Sequence, residues 1–377
     1  MDERVYWIWL QHALGAGGTR VPAVLREFGT ARSFYEAGPS AWERLKVLTM
    51  REREMLQAFS LEQADAVLKR CTALGQMVLT PETAGYPERL RAIYNPPCVL
   101  YIQGELPDVD QILSIAVVGS RTASAAGLRA VSDIAGALAR DGVVVVSGGA
   151  HGVDHTAHSA ALSAGGVTVS VLPCGIDFPY LTEYAGFRAE IAARGALLSE
   201  YPPGTGVQKW TFRVRNRLLS GLSAGVLVAE AAEKSGTMIT VRYALEQDRD
   251  VFVIPANIGP FSAGSNGLLR SGAKPVTVME DVLEAYAGCG YARAAVLKPA
   301  QQSFDAILHS ADSLSNGFSV DAKTVYHALG KTPLAIGELS AATGLPVPRL
   351  LAALTELEME QKIQSYAGRR YVRTETA

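Results

Sequence analysis

At 377 residues the chain is long enough for two or three domains, and 48% hydrophobic with 19% charged residues is the composition of an ordinary globular protein. A net charge of −2 excludes a polycation, so binding to nucleic acid would have to rest on a local patch. No stretch is apolar for long enough to span a bilayer, the opening MDERVYWIWL is no signal peptide, and four cysteines without CxxC spacing (Cys71, Cys98, Cys174, Cys289) argue against a disulfide framework and fit a cytoplasmic protein.

Residues 1–60 read as short helices joined by glycine turns: WIWLQHALGAGG, TRVPAVLREFG, SAWERL and TMREREMLQAF. That pattern predicts a SAM-like or helix-hairpin-helix domain. From 61 to 290, apolar β-branched runs recur: ILSIAVVG, GVVVVSGG, GVTVSVLP, ALLSE, AGVLVAE, DVFVIP and PVTV. Alanine-rich helical segments separate most of them. This alternation, with strands apolar on both faces, predicts an α/β domain with a parallel, doubly wound sheet. Ligands of such sheets bind at the carboxyl ends of the strands. Residues 291–318 lose the pattern and read as a linker. In 319–377, AKTVYHAL, IGELSAATG and VPRLLAALTELEMEQ read as three helices, and KIQSYAGRRYVR as two strands around Ala367-Gly368. That is the order of a winged-helix domain.

Three strand ends carry glycine-rich loops. In VVGSRTASAAG, Gly119, Ser120 and Arg121 precede a helix, so backbone N–H groups, a helix N-terminus and the Arg121 fork can hold a phosphate. The dinucleotide fingerprint GxGxxG is absent, and an ordinary strand–helix turn explains the loop equally well. In SGGAHGVDHTAH, Gly148 and Gly149 allow close backbone approach, and Asp154 is placed to cap the next helix. His151, His155 and His158 invite a metal reading, but no cysteine lies nearby and packing histidines explain them better. No metal or cofactor is expected. In EAAEKSGTMIT, Lys234, Ser235 and Gly236 enter a further helix.

TFRVRNRLLSGLSAGVLVAE places Arg213, Arg215 and Arg217 at the entrance to an apparent buried strand, with no acid between Glu200 and Glu230. With Lys209, they form a basic rim on the ligand-binding edge. Trp210 and Phe212 interleave aromatics with the cations, which suits the stacked bases of a single strand. One of the three arginines is expected to pair with a distant carboxylate.

These segments, together with LLSEYPPGT and GSNGLLRSGA, resemble the DprA/Smf family, the DNA-processing proteins of natural transformation. The match runs over about 110–280. The resemblance implies a SAM-like N-terminal domain, an extended Rossmann-like domain that dimerises and binds single-stranded DNA, and a winged-helix (DML1-like) tail. It also implies loading of RecA recombinase onto incoming DNA, without catalysis. By position, Gly119, Ser120 and Arg121 match the family's phosphate loop, Arg215, Asn216 and Arg217 its RNR motif, and Lys234, Ser235 and Gly236 its KSG turn. His151 stands where the family carries Lys or Arg, beside Gly149, and Arg213 stands where it carries Pro. A homodimer is expected, its candidate face the aliphatics Leu268, Leu269, Val276, Val278, Val282 and Leu283 near the end of the sheet.

Two readings compete. A Rossmann-fold nucleotide-binding enzyme, such as a nucleoside-monophosphate hydrolase, would use Glu200 and Glu230 as catalytic carboxylates in a closed pocket. A transcription factor would read duplex DNA through VPRLLAALTELEMEQ, whose acids suit a major groove poorly. The acid-free arginine segment favours an open groove for single-stranded DNA.

Overall fold

The computed structural model describes residues 1–296, 319–329, 334–343, 345–359, 362–366 and 370–374. The chain divides into two compact units, Met1–Pro299 and Ala300–Ala377.

Six helices open the first unit: α1 (Glu3–Leu14), α2 (Val21–Phe28), α3 (Ala31–Ala37), α4 (Pro39–Arg44), α5 (Met50–Ala58) and α6 (Leu61–Ala73). Their ends are written in the sequence. Asp2 caps α1, Thr49 with Glu52 and Ser60 with Gln63 form capping boxes on α5 and α6, and glycines close α1, α2 and α3. Trp7, Trp9, Phe34 and Trp42 fill the space between them. The same apolar cluster continues into the sheet through Val99, Tyr101, Leu172 and Leu197. No break between compact units therefore falls at the expected boundary of 60 and 61, and α6 packs on α1 as part of the helical layer.

The sheet follows. Its strands are β1 (Met77–Leu79), β2 (Leu100–Gly104), β3 (Ser114–Gly119), β4 (Val144–Ser147), β5 (Thr168–Leu172), β6 (Ala196–Ser199), β7 (Gly225–Ala229), β8 (Asp250–Val253) and β9 (Lys274–Pro275). Among the described residues their order is β1-β2-β6-β5-β4-β3-β7-β8-β9. From β6 to β9 all pairings are parallel, as the apolar runs predict; β1 and β2 add an antiparallel edge that the sequence reading did not identify. Helices α7 (Glu88–Arg91), α8 (Ala125–Arg140), α9 (Val153–Ser163), α10 (Ala185–Arg194), α11 (Lys209–Gly221), α12 (Gly236–Glu246), α13 (Ala263–Arg270) and α14 (Glu280–Leu283) complete the unit. Two apolar clusters cover the two faces of the sheet, so its central strands are buried on both sides.

The chain path creates one special place. From β3 the connections run through β4 and β5 to β6; α11 then returns the chain to β7 beside β3, and β8 and β9 continue the other way. The carboxyl ends of β3 and β7 thus flank a topological switch point, where open α/β sheets hold ligands.

Residues 297–318 of the expected linker lie outside the described residues. Before them, Ala292 bridges Ile112 alongside the sheet. In the second unit α15 (Val320–Ala328), β10 (Leu334–Ala335), α16 (Ile336–Thr343), α17 (Val347–Met359), β11 (Ile363–Tyr366) and β12 (Arg370–Arg373) follow in the winged-helix order. β12 lies between β10 and β11, and Leu339, Leu350, Leu354 and Leu357 are buried beneath them. Arg349 is held by Asp321 at 2.6 Å, so the one arginine of α17 is engaged within its own domain. Among the described residues no helix is long and apolar enough to cross a membrane.

Candidate nucleic-acid interface

The crevice at the switch point is a cavity of about 340 Å³ that opens into a groove of about 470 Å³. Arg121, Phe212, Asn216, Ser235 and Gly236 line both, so the two spaces are continuous. The loop after β3 forms one wall, the turn from β7 into α12 another, and α11 a third. Phe261, from the loop after β8 and 69% exposed, stands at the inner cavity.

The arginine segment does not lead into a strand. It is helix α11, and its 3.6-residue period sorts its side chains onto two stripes. Lys209, Phe212, Arg213 and Asn216 form the groove stripe. Trp210, Val214 and Arg217 form a second stripe that faces the α1–α2 turn and the end of β6. Lys209, Arg213, Lys234 and Arg121 are exposed, and the groove-lining residues include these four cations and no carboxylate. The Arg121 guanidinium lies over the Phe212 ring, 4.9 Å from its centroid, so a cation and an aromatic face act as one surface. Asn216 donates to the Gly236 carbonyl at 3.2 Å and ties α11 to the start of α12. Ser235 Oγ, at that helix start, has no partner.

Several expected contacts fall elsewhere. Arg217 is buried and gives its guanidinium to Glu200 at 2.7 Å; it is the arginine that pairs internally. Arg215 is also buried, donating to the carbonyls of Gly148 at 2.7 Å and of Val171. Burial opposes its charge while nearby Asp154 favours it, and burial conversely raises the Asp154 pKa. Arg215 therefore lines the cavity floor beside Asp154 as a buried, internally bonded group, and not as an exposed fork. Trp210 turns away from the groove, leaving Phe212 as its aromatic.

Gly119 and Ser120 do line the inner cavity, and Gly119 also packs against β7, because a Cβ there would run into the Ala229 carbonyl oxygen. The N-terminus of α8, expected to receive a phosphate, already holds an internal anion. Glu230 accepts from Ser124 N at 2.7 Å and from the Ser124 hydroxyl, and its φ of 30° shows that the backbone is held in an uncommon conformation. Both carboxylates of the enzyme reading are thus engaged: Glu230 at Ser124, and Glu200 at Arg217 and Gly17 N.

Gly149 and His151 do not line the groove. At Gly149 the φ of 67° and the approach of Ser170 Oγ leave no room for a side chain. His151 is exposed one strand end away, its Nδ1 2.9 Å from the Tyr184 hydroxyl. The cap position of α9 is Gly152; Asp154 lies inside the first turn and accepts from Ala150 N at 3.3 Å. His155 stacks on Tyr184 at 4.4 Å.

His158 is fully buried. Thr168 Oγ1 donates to the Val145 carbonyl and so accepts from His158 Nδ1–H at 2.7 Å, which leaves Nε2 as the unpartnered, unprotonated nitrogen. Protonating it would bury an unpaired charge, and burial pushes its pKa down to about 3. Between about 6.5 and about 3 the unfolded chain then binds the proton that the folded chain refuses. Stability is therefore expected to fall with acid by about 1.4 kcal/mol per pH unit from this residue. Urea midpoints from pH 8 to pH 5 check this against His158→Gln, whose pH slope should be shallower by that amount; identical slopes would assign the acid sensitivity to other groups.

The sequence model of the family described as DNA recombination-mediator protein A matches residues 77–287, and that of the DprA winged helix domain matches 310–369. The chain is 36% identical over 260 residues to DNA processing protein DprA of Bacillus subtilis, covering 67% of this chain and 88% of that protein. It is 34% identical over 337 residues to Protein Smf of Escherichia coli, covering 88% and 86%. Among solved structures, DNA processing protein A from Streptococcus pneumoniae superposes with a TM-score of 0.66 at 31% identity, over 73% of this chain and 95% of that one. The Helicobacter pylori protein, described for its unique single-stranded DNA binding mode, gives 0.51 at 32% identity, over 56% and 95%.

Proposed function

Because the chain belongs to the DprA/Smf family of DNA-processing proteins, we propose that its switch-point groove holds single-stranded DNA. The observation that carries this reading is an open groove whose lining combines Arg121, Lys209, Arg213 and Lys234 with Phe212 and includes no carboxylate. Cations along the backbone and an aromatic face for a base are what a single strand requires, and neither reads sequence. The single-strand binding described for the Helicobacter pylori relative supports the same ligand. Arg121→Ala should weaken binding about tenfold and reduce the slope of log K against log[salt] by about 0.7. Arg129, exposed on α8, provides the control. If Arg129→Ala is the damaging change and Arg121→Ala is silent, the site lies elsewhere.

We read the protein as a binding protein and not a hydrolase. The engagement of Glu200 and Glu230 by internal donors supports this, since neither is left to activate water. Its proposed setting is the bacterial cytoplasm during natural transformation, where it would protect incoming single strands and load RecA recombinase. Four free thiols suit that reducing compartment.

Dimerisation belongs to the same proposal. Of the expected aliphatic face, Val276 and Val282 are fully buried within the unit, so a partner surface reduces to Val278, 50% exposed, with the partly buried Leu268, Leu269 and Leu283 beside the edge strand β9. A dimer would align two grooves and raise avidity for a long strand. Residues 1–296 are the fragment to test, because helices α1–α6 share the core of the sheet. Sedimentation at micromolar concentration should give the dimer mass, and a heavier species when RecA is added; a monomer that ignores RecA would remove both partners.

A further inference from the structure

A second cavity, of about 190 Å³, lies on the other side of α11. Its walls are Ile8 and His12 of α1, Phe59 beyond α5, Tyr201 after β6, and Trp210. The rings are arranged as faces and edges. His12 stacks on Phe59 with centroids 3.7 Å apart and planes 13° from parallel, and Trp210 meets Tyr201 edge-on at 6.0 Å. Partial burial lowers the His12 pKa, so near neutral pH its face is uncharged. Gln11, also in the lining, is spent on the Val99 and Glu200 carbonyls and the Tyr101 hydroxyl. Five of the twelve lining residues carry aromatic rings, and the one carboxylate among them, Glu200, is neutralised by Arg217. The slot is smaller than the roughly 300–1,000 Å³ of drug-sized sites, which limits its occupant to about one ring system.

Its position names the occupant. Consecutive residues on a helix point about 100° apart. Lys209 therefore lines the groove while its neighbour Trp210, 54% exposed, stands at the slot. The first turn of α11 is a post between the two. A strand held on Lys209 has only to pass around that post to bring its next bases over Trp210. We propose that this slot is a second base subsite for the same DNA strand, seating one nucleobase between Trp210 and the His12–Phe59 pair. This rests on the groove reading, and the test separates the two.

The test uses the full chain with dT oligonucleotides of increasing length and with 2-aminopurine placed at successive positions. Stacking dims 2-aminopurine, so two separated positions should respond, one in the groove and one in the slot. Ala16→Phe, a half-buried residue of the slot wall, fills the space without touching the groove lining. It should abolish the second response, weaken long oligonucleotides roughly tenfold, the loss that one base–aromatic stack carries, and leave short ones unchanged. Trp210→Ala should do the same if Ala16→Phe does not fold. One responding position, with length dependence unaltered in both variants, would overturn the subsite and leave the groove standing. No response at any position, with Arg121→Ala also silent, would overturn the groove reading itself.

Discussion

Replacing Glu200 by alanine is expected to cost the first unit about 3–5 kcal/mol of stability. The Glu200 and Arg217 side chains are 2% and 3% exposed. One carboxylate oxygen accepts from Arg217 Nη2 at 2.7 Å and from Gly17 N at 3.0 Å, so a single group anchors both α11 and the turn after α1. Val214, on the same stripe, fits so closely against Gly17 that a Cβ there would sit 2.8 Å from it. Removing the carboxylate leaves a guanidinium buried without a counter-charge and an amide without its acceptor. In a unit of this size the melting temperature should fall by about 2 °C per kcal/mol, hence by roughly 6–10 °C. Glu200→Leu with Arg217→Leu should recover most of the loss, because an apolar pair of similar volume carries no unpaired charge. The double variant also separates two roles. It should still bind DNA, since Arg217 faces Glu200 and not the groove. A Glu200→Ala loss below about 1 kcal/mol, or a folded double variant that no longer binds, would return Arg217 to the list of DNA contacts.

The largest effect on binding should come from removing the four groove cations together. Arg121, Lys209, Arg213 and Lys234 are exposed and line one groove. For single strands each neutralised phosphate contributes about 0.7 to the salt slope, so four alanines should flatten it by about 2.8. Between 50 and 200 mM salt, wild-type affinity should then fall about 50-fold more than that of the quadruple variant. Melting should be nearly unchanged, because exposed side chains contribute little to stability. A quadruple variant with the wild-type slope would show that the phosphates lie elsewhere.

The central strands were legible because a parallel sheet covered on both faces needs continuous apolar, β-branched runs, and those runs stand out. The antiparallel edge was not: β1 has three residues, and β2 lies in CVLYIQG, away from the alternating units. Lys209 and Arg213 were legible from the acid-free stretch between Glu200 and Glu230, and Arg121 and Lys234 from the loops that follow strand ends. The role of α11 was not, because R-V-R-N-R imitates a two-residue alternation while Trp210, Val214 and Leu218 carry the helical period. Arg217 and Glu200 are 17 residues apart, and Ser124 and Glu230 are 106 apart, so only the fold brings those partners together. Phe261 was missed as well. Its only signal is an aromatic in a glycine- and serine-rich loop, and its place at the cavity follows from where β8 ends.

A titration of single- and double-stranded oligonucleotides of equal length at several salt concentrations tests the groove most directly. Single strands should bind more tightly, without marked sequence preference, and with a log K against log[salt] slope of magnitude at least about 2.8 for four cations. Equal affinity for the duplex, or binding to single strands that does not respond to salt, would contradict it.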